Sequence, residues 1–466
     1  MSELFARPTR DQWEVQAGKA LKGRPLAGLT RTDADGLTVA PLYAADDGIA
    51  PVFAPRASDA DGRAWDLRTL IEGDVPEAVN AAVLADLEGG AASVIVSGAV
   101  LSDSDLLARA LDGVALELAA VGLDAGLDGP VAADALAVAA KGSPRAMLRF
   151  HMDPVSAFAA AGVAPRPIGD HLTLAANTAA RHAGAYPEAS FFLASGRVVH
   201  EAGGSAGQEL GFAAASALAS LKAGVEAGLS LDRAARGTVL GVSVDAEYFD
   251  ALSRVRALRL IWASLVKALG LEVPATIEAR SSRRMLSARD PWPNLLRLTA
   301  AGFAGAVGGA DAVVLDGFSR ASGRPDAFAR RLARNTQLVL MEEANLGRVD
   351  DPASGSWFLD ARTRDLAAAG WAEFQRIEGE GGVIAALKAG TIQTRVAEAR
   401  AMRKADLAEG RAQLIGVTKF VDADSRPAPV EADKAAAVEG GGDSCEALTP
   451  MRFAAPFEQA LEEAAR

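Results

Sequence analysis

The chain has 466 residues, half of them hydrophobic but only 5% aromatic, with a formal net charge of −12 at neutral pH. That length suits one large domain with extensions, and a core so poor in aromatics must be built from Ala, Val and Leu, as in buried parallel strands and close-packed helices. The acidic balance argues against a nucleic-acid partner and an anionic membrane surface, so a phosphorylated substrate would need a local basic patch.

Met1 to Trp13 carries Glu3, Arg7, Arg10 and Asp11 and no apolar core segment, so it does not read as a signal peptide. No run approaches the roughly 18 apolar residues needed to span a bilayer, which points to a soluble, cytoplasmic protein. Residues 1–62 have little periodic apolar content and read as an arm. Its landmarks are Leu21-Lys22-Gly23, Thr32-Asp33-Ala34-Asp35-Gly36 and Pro41-Leu42-Tyr43. Leu4, Phe5, Trp13, Leu21, Leu26, Leu42 and Tyr43 give it anchors spaced along its length, as suits an extended segment lying in a groove.

From residue 63 to about 320, apolar strands alternate with Ala/Leu-rich helices. The clearest strands are Ser93–Ser97, Ala115–Ala119, Met147–His151, Phe191–Ser195, Thr238–Val244, Ala275–Ala279 and Asp311–Leu315, with helices such as Ala213–Ala227 and Leu252–Leu269 between them. Repeated strand–helix units imply a parallel sheet. Over roughly 250 residues, closure into an eight-stranded barrel is its natural solution.

Within this region His200-Glu201-Ala202-Gly203 follows a strand, where barrel enzymes place catalytic groups. The four histidines, His151, His171, His182 and His200, form no H-x-x-x-H or H-x-E pair, and each alone is more often a bonded structural imidazole than a ligand. No metal site is expected. Arg256 and Arg259, one turn apart, share a helix face that reads as a solvated basic surface. Asp290-Pro291 reads as a helix cap followed by a first-turn proline. Gly203-Gly204-Ser205-Ala206-Gly207 lacks the lysine of a phosphate loop, and no nucleophile-elbow or dinucleotide fingerprint sits in the right context.

Arg334-Asn335-Thr336-Gln337-Leu338 reads as the start of a helix. It leads past Glu342-Glu343 into the loop Val349-Asp350-Asp351-Pro352-Ala353-Ser354-Gly355-Ser356 and a short aromatic turn at Trp357-Phe358. Leu366–Lys388 and Arg395–Glu409 look like a helical extension outside the barrel. Residues 421–446, with Gly440-Gly441-Gly442, have a flexible linker's composition. Residues 449–466 form a last helix with Phe453, Phe457 and Leu461 near helical spacing. The single cysteine, Cys445, excludes an intramolecular disulfide and a cysteine-based zinc site.

The order R-N-T-Q-L, E-E, V-x-D-P-x-x-G-S closely resembles the barrel domain of acyl-CoA mutases of the methylmalonyl-CoA mutase family. The landmarks of the arm, the helix ending Ile261-Trp262 and the stretch Ala288-Arg289-Asp290-Pro291-Trp292-Pro293-Asn294 resemble it too. The resemblance covers nearly the whole chain and is strongest from 245 to 420. It implies a TIM (β/α)8 barrel over 63–420 with a helical extension, an N-terminal arm over 1–62 that lies along a partner subunit, and a linker with a terminal helix over 421–466.

Catalytic members use adenosylcobalamin, whose radical chemistry needs a sealed pocket. They place a tyrosine in an R-Q-Y stretch and a histidine in an S-G-Y-H stretch against the acyl thioester. Here the matching positions are Leu70, in Arg68-Thr69-Leu70, and Val198, in Ser195-Gly196-Arg197-Val198. A T-H-S-Q-T-S-G strand end corresponds to Ile277-Glu278-Ala279-Arg280-Ser281-Ser282-Arg283, and an H-T-Q strand to Ala310-Asp311-Ala312. Leucine and valine donate no hydrogen bond, and losing one such contact typically costs about 100-fold or more.

The D-x-H-x-x-G cobalt motif is missing, since position 198 is Val, and no cobalamin-binding domain is expected. The pattern resembles the small (beta) subunit of a heterodimeric methylmalonyl-CoA mutase. On that reading the chain has no catalytic, cofactor-binding or metal residues of its own. The cofactor and the succinyl-CoA/methylmalonyl-CoA interconversion belong to a catalytic large subunit, and the acyl-CoA substrate is met only through the complex. The alternatives are the substrate-binding barrel of a split mutase whose cobalamin chain is separate, which Leu70 and Val198 argue against, or a scaffold outside mutase chemistry.

Overall fold

Strand residues 66–72 supply the link that closes the sheet. The computed structural model describes residues 8–56, 62–422, 424–432, 438 and 440–464; Glu3, Leu4, Phe5 and Arg7 of the arm lie outside them. Its eight barrel strands are β1 (Asp66–Glu72), β2 (Ser93–Ser97), β3 (Ala120–Asp124), β4 (Leu148–Met152), β5 (Ser190–Ser195), β6 (Thr238–Val244), β7 (Ile277–Ser281) and β8 (Ala312–Val314). They pair in parallel in the closed order β8-β1-β2-β3-β4-β5-β6-β7, with helices outside, so the fold is the expected TIM barrel.

Strand side chains alternate between two faces. Outward Leu67, Ile71, Val94, Val96, Val121 and Leu123 are fully buried under the helices. The register Arg68–Ser93–Ala120 and Leu70–Ile95–Gly122 stacks the inward residues in layers.

β1 escapes a search for apolar runs because Asp66, Arg68 and Glu72 alternate with its apolar residues. The strand read at Ala115–Ala119 lies five residues later. The stretch from Leu116 to Leu123 is apolar apart from Glu117 and Gly122, which leaves the strand start unmarked, and Leu118 is 80% exposed in a turn before the sheet begins.

The Arg334–Leu338 stretch ends a helix rather than starting one. Asp326 caps Ala327–Leu338 by accepting from the Ala329 amide at 2.8 Å, eight residues upstream. One wide turn follows at Val339–Glu343. Trp357-Phe358 is not an isolated turn but opens the 23-residue helix Trp357–Gly379, with the Ser356 hydroxyl as its cap. That helix crosses the Ala206–Glu226 helix at close range. A Cβ on Gly370 would come 2.7 Å from the Leu210 side chain, so only glycine allows the approach.

The arm divides in two. Helix Arg10–Ala20 buries none of its residues. Beyond it, a short hairpin pairs Arg31–Thr32 with Thr38–Val39. Its turn residue Asp35 accepts from the Ser205 hydroxyl and the Gly207 amide at the start of helix Ala206–Glu226, while Asp33 pairs with Arg362. The Ala54 amide donates to Asp351 at 2.7 Å. Residues 31–56 therefore lie on the chain's own barrel.

The described residues of 421–446 are pinned at two places. Val430–Glu431 pairs with Arg324–Pro325, and the backbone of Gly442, Asp443 and Cys445 bonds to Ala164 and Gly162. Composition misses such contacts because backbone groups make them. Farther on, the Met451 and Phe453 amides donate to Glu201 and Arg284, and helix Ala455–Ala464 places Glu458 under the amides of Ala288 and Arg289. Among the described residues no helix is long and apolar enough to cross a membrane.

Candidate functional site

The inner face of the barrel carries charge. Arg68 on β1 donates to Ser93 at 2.7 Å and to Glu278 on β7 at 2.6 Å, and pairs with Asp66. The other oxygen of Glu278 accepts from Arg280 Nε at 2.6 Å, and Arg280 Nη1 reaches Asp124 on β3 at 2.9 Å. In an eight-strand ring β3 lies directly opposite β7, so Arg280 spans the barrel's full width. The chain Asp66–Arg68–Glu278–Arg280–Asp124 thus occupies the axis. Burial alone would raise the Glu278 carboxyl, but the guanidinium groups of Arg280 and Arg68 hold it well below the usual carboxylate range.

His151 on β4 is wedged into the same space, with Nε2 at 3.8 Å from Glu278. Its backbone takes a left-handed φ of 48°, where the β4–β5 register shifts. Gly122 makes room for the ring, since a Cβ there would sit 3.1 Å from it. Burial pushes the imidazole down to about 3, so it is neutral.

A cavity of about 980 Å³ opens at the N-terminal end, lined by Arg63, Arg149 and Arg236 among others. Its lining includes Arg68 and Glu278 but none of Leu70, Asp124 or Arg280. The ion pairs form its floor.

At the C-terminal mouth, where barrel enzymes bind substrate, several charged groups are bonded to one another. Arg283 donates to Asp316 at 2.7 Å, and Arg320 bridges Asp316 and Glu72. Glu201 accepts from the amides of Arg283 and Arg284, both at 3.0 Å. Asp153 caps the Pro154–Ala161 helix, and burial pushes its carboxyl up to about 7.

His200 sits on the short helix Arg197–Glu201, fully buried, with its ring nitrogens 3.1 Å from Glu209 and 2.9 Å from Ser282. Arg254 links Glu209 to Asp245. Burial pushes the His200 imidazole down to about 3. Both nitrogens have partners inside the chain, which does not fit a cobalt-ligating role. Among the described residues no three His, Cys, Asp or Glu side chains converge to hold a metal.

Leu70 lies on the inner face of β1 opposite Ile95, and Val198 on the Arg197–Glu201 helix against the core. Arg256 and Arg259 are not a solvated face. Arg256 is fully buried and donates to Asp351 at 3.0 Å, Asp360 at 3.1 Å and Thr363 at 3.0 Å, and Arg259 binds Asp311 at 2.8 Å and two carbonyls. The sequence hides this because the carboxylates are about 50 to 100 residues away.

Asp290 does not cap a helix. The helix there begins at Asn294, whose amide group bonds the carbonyls of Ser287 and Phe318, and Asp290 instead accepts from Ser425. Burial pushes the Cys445 thiol up to about 11, away from reactivity. The interior quartet Arg68, Glu278, Arg280 and Asp124 was not foreseen as a unit. Its signal was charge at alternate positions of a strand, Asp66-x-Arg68 and Glu278-x-Arg280.

The family model described as methylmalonyl-CoA mutase matches residues 85–466. The methylmalonyl-CoA mutase small subunit of Streptomyces virginiae is 37% identical over 466 aligned positions, covering 94% of this chain and 74% of that protein. The small subunit of Propionibacterium freudenreichii subsp. shermanii is 31% identical, covering 89% and 69%. The probable small subunit of Mycobacterium tuberculosis (strain ATCC 25618 / H37Rv) is 38% identical, covering 73% and 56%. The chain thus spans between about half and three quarters of the length of these relatives.

Proposed function

The chain belongs to the methylmalonyl-CoA mutase family as a small-subunit member, and from that premise we propose that it is a non-catalytic partner of a cobalamin-bearing large subunit, which carries out the succinyl-CoA/methylmalonyl-CoA interconversion. One observation carries this reading. The barrel axis, which an acyl-CoA isomerase must leave open for substrate, is crossed by the ion-pair chain from Asp66 to Asp124. Leu70 and Val198 support it, because neither side chain can polarise a thioester where catalytic relatives carry Tyr and His. The buried, doubly bonded His200 supports assigning adenosylcobalamin to the partner.

In this reading the barrel serves as a rigid body over 63–420. Residues 1–62 contribute partner contact, with helix Arg10–Ala20 as the segment most available for it, and 421–466 straps the barrel. The test is co-expression with a large mutase subunit. The account expects co-purification and mutase activity in the complex but none in this chain alone. A large subunit that neither binds this chain nor changes activity in its presence would contradict it.

A further inference from the structure

A second cavity, of about 420 Å³, opens on the outer side of the barrel near the C-terminal ends of β6 and β7. Four separate segments build its apolar wall, through Met285, Leu296, Leu407, Leu414, Ile415 and Phe453. Leu296 and Ile415 remain 76% and 49% exposed. A hollow of this size, mostly apolar with a few polar groups at its rim, has the form of a small-molecule site.

The rim sets the chemistry. Of its three carboxylates, Asp245 is engaged by Arg254 and Arg284, and Asp406 pairs with Arg411 at 2.7 Å. The third, Glu247, is more than half exposed and meets Arg403 only at 3.6 Å. Arg403 Nε is buried without an acceptor among the described residues. The other rim arginine, Arg297, donates to Asn294 at 2.7 Å, Ser287 at 3.2 Å and the Ile415 carbonyl at 2.6 Å, all neutral acceptors. Arg297, with neutral acceptors only, and Arg403, whose one carboxylate is the half-exposed Glu247 at 3.6 Å, therefore stand over an apolar hollow.

We propose that this groove binds a small carboxylate with an apolar body, its head group at Arg403 and Arg297 and its body against Leu407, Leu414 and Phe453. Phe453 belongs to the C-terminal strap and is held by its amide to the Arg284 carbonyl, so an occupant would also steady that strap. The proposal goes beyond the small-subunit reading and does not depend on it.

Calorimetric titration of the full chain with octanoate, and with 1-octanol as the uncharged body, tests it. Octanoate should bind at least about tenfold more tightly, the scale of one charge-assisted hydrogen bond. Arg403→Gln should erase that advantage, while Ala412→Trp, which places an indole in the groove from a half-exposed loop, should block both ligands. Hydrogen exchange at Phe453 should slow with octanoate present. Equal binding of octanol would make the groove an apolar docking surface without anion selection and overturn the proposal. So would absence of octanoate binding, or binding that survives both variants.

Discussion

Glu278 is the residue on which the barrel interior depends, because its two oxygens hold Arg68 and Arg280 at 2.6 Å each while its side chain is almost fully buried. Removing one partner of such a buried set leaves uncompensated charge, at a cost of about 3–5 kcal/mol. Glu278→Gln should therefore destabilise the chain by that amount in urea unfolding. The double change Arg68→Met with Glu278→Met should cost clearly less, since Arg280 keeps Asp124.

His200 gives a pH signature. Its folded pKa of about 3 lies below the 6.5 of the unfolded chain, so the unfolded state takes up a proton first as pH falls. Stability is fully present above pH 6.5 and declines from there toward 3, by about 2 kcal/mol at pH 5. Asp153, raised to about 7, acts in the opposite direction over part of this window, so the comparison is between variants. The destabilisation caused by His200→Gln should be about 2 kcal/mol smaller at pH 5 than at pH 7.5. A pH-independent difference would mean that the folded imidazole titrates as it does in the unfolded chain and is not held neutral by burial. These residues were only half legible in the sequence. His200 has the bonded partners that a structural imidazole needs, but the buried arginines read as solvated because their partners come from distant segments.

The strands with β-branched runs, Ser93–Ser97 and Thr238–Val244, were legible to the residue, and the alternation of strand and helix gave the barrel. β1 was not, because its inward face is charged, and the Arg334–Leu338 helix was entered from the wrong end because Asp326 was not weighed as its cap. The arm is where structure changes an expectation most. Composition treats residues 1–62 as one extended segment, yet Asp33 and Asp35 pin its second half to Arg362 and to the start of helix Ala206–Glu226, while helix Arg10–Ala20 buries nothing.

Deleting residues 1–22 should accordingly leave urea unfolding of the isolated chain within about 0.5 kcal/mol of the parent and still weaken co-purification with the large subunit. Deleting residues 1–45 removes the Asp35 cap and the Asp33 ion pair as well. It should cost about 1–3 kcal/mol of the chain's own stability. If the shorter deletion leaves the complex intact, the Arg10–Ala20 helix is not the contact.

For the whole molecule, the barrel has a wide cavity at one end and an ion-paired mouth at the other. The N-terminal cavity of about 980 Å³ stops at Arg68 and Glu278, and the C-terminal mouth is filled by Arg283, Asp316, Arg320 and Glu72 and bordered by the strap through Met451 and Phe453. That arrangement supports the proposed scaffold role, because a radical isomerase must admit both a thioester and a cofactor to one sealed space. The most direct measurement is formation of cob(II)alamin, followed by its absorbance, when the isolated chain is mixed with succinyl-CoA, adenosylcobalamin and a free cobalamin-domain protein. The account predicts no substrate-dependent signal until a large mutase subunit is added. Substrate-dependent cob(II)alamin with this chain as the only barrel present would contradict the non-catalytic assignment and make it the substrate-binding half of a split mutase.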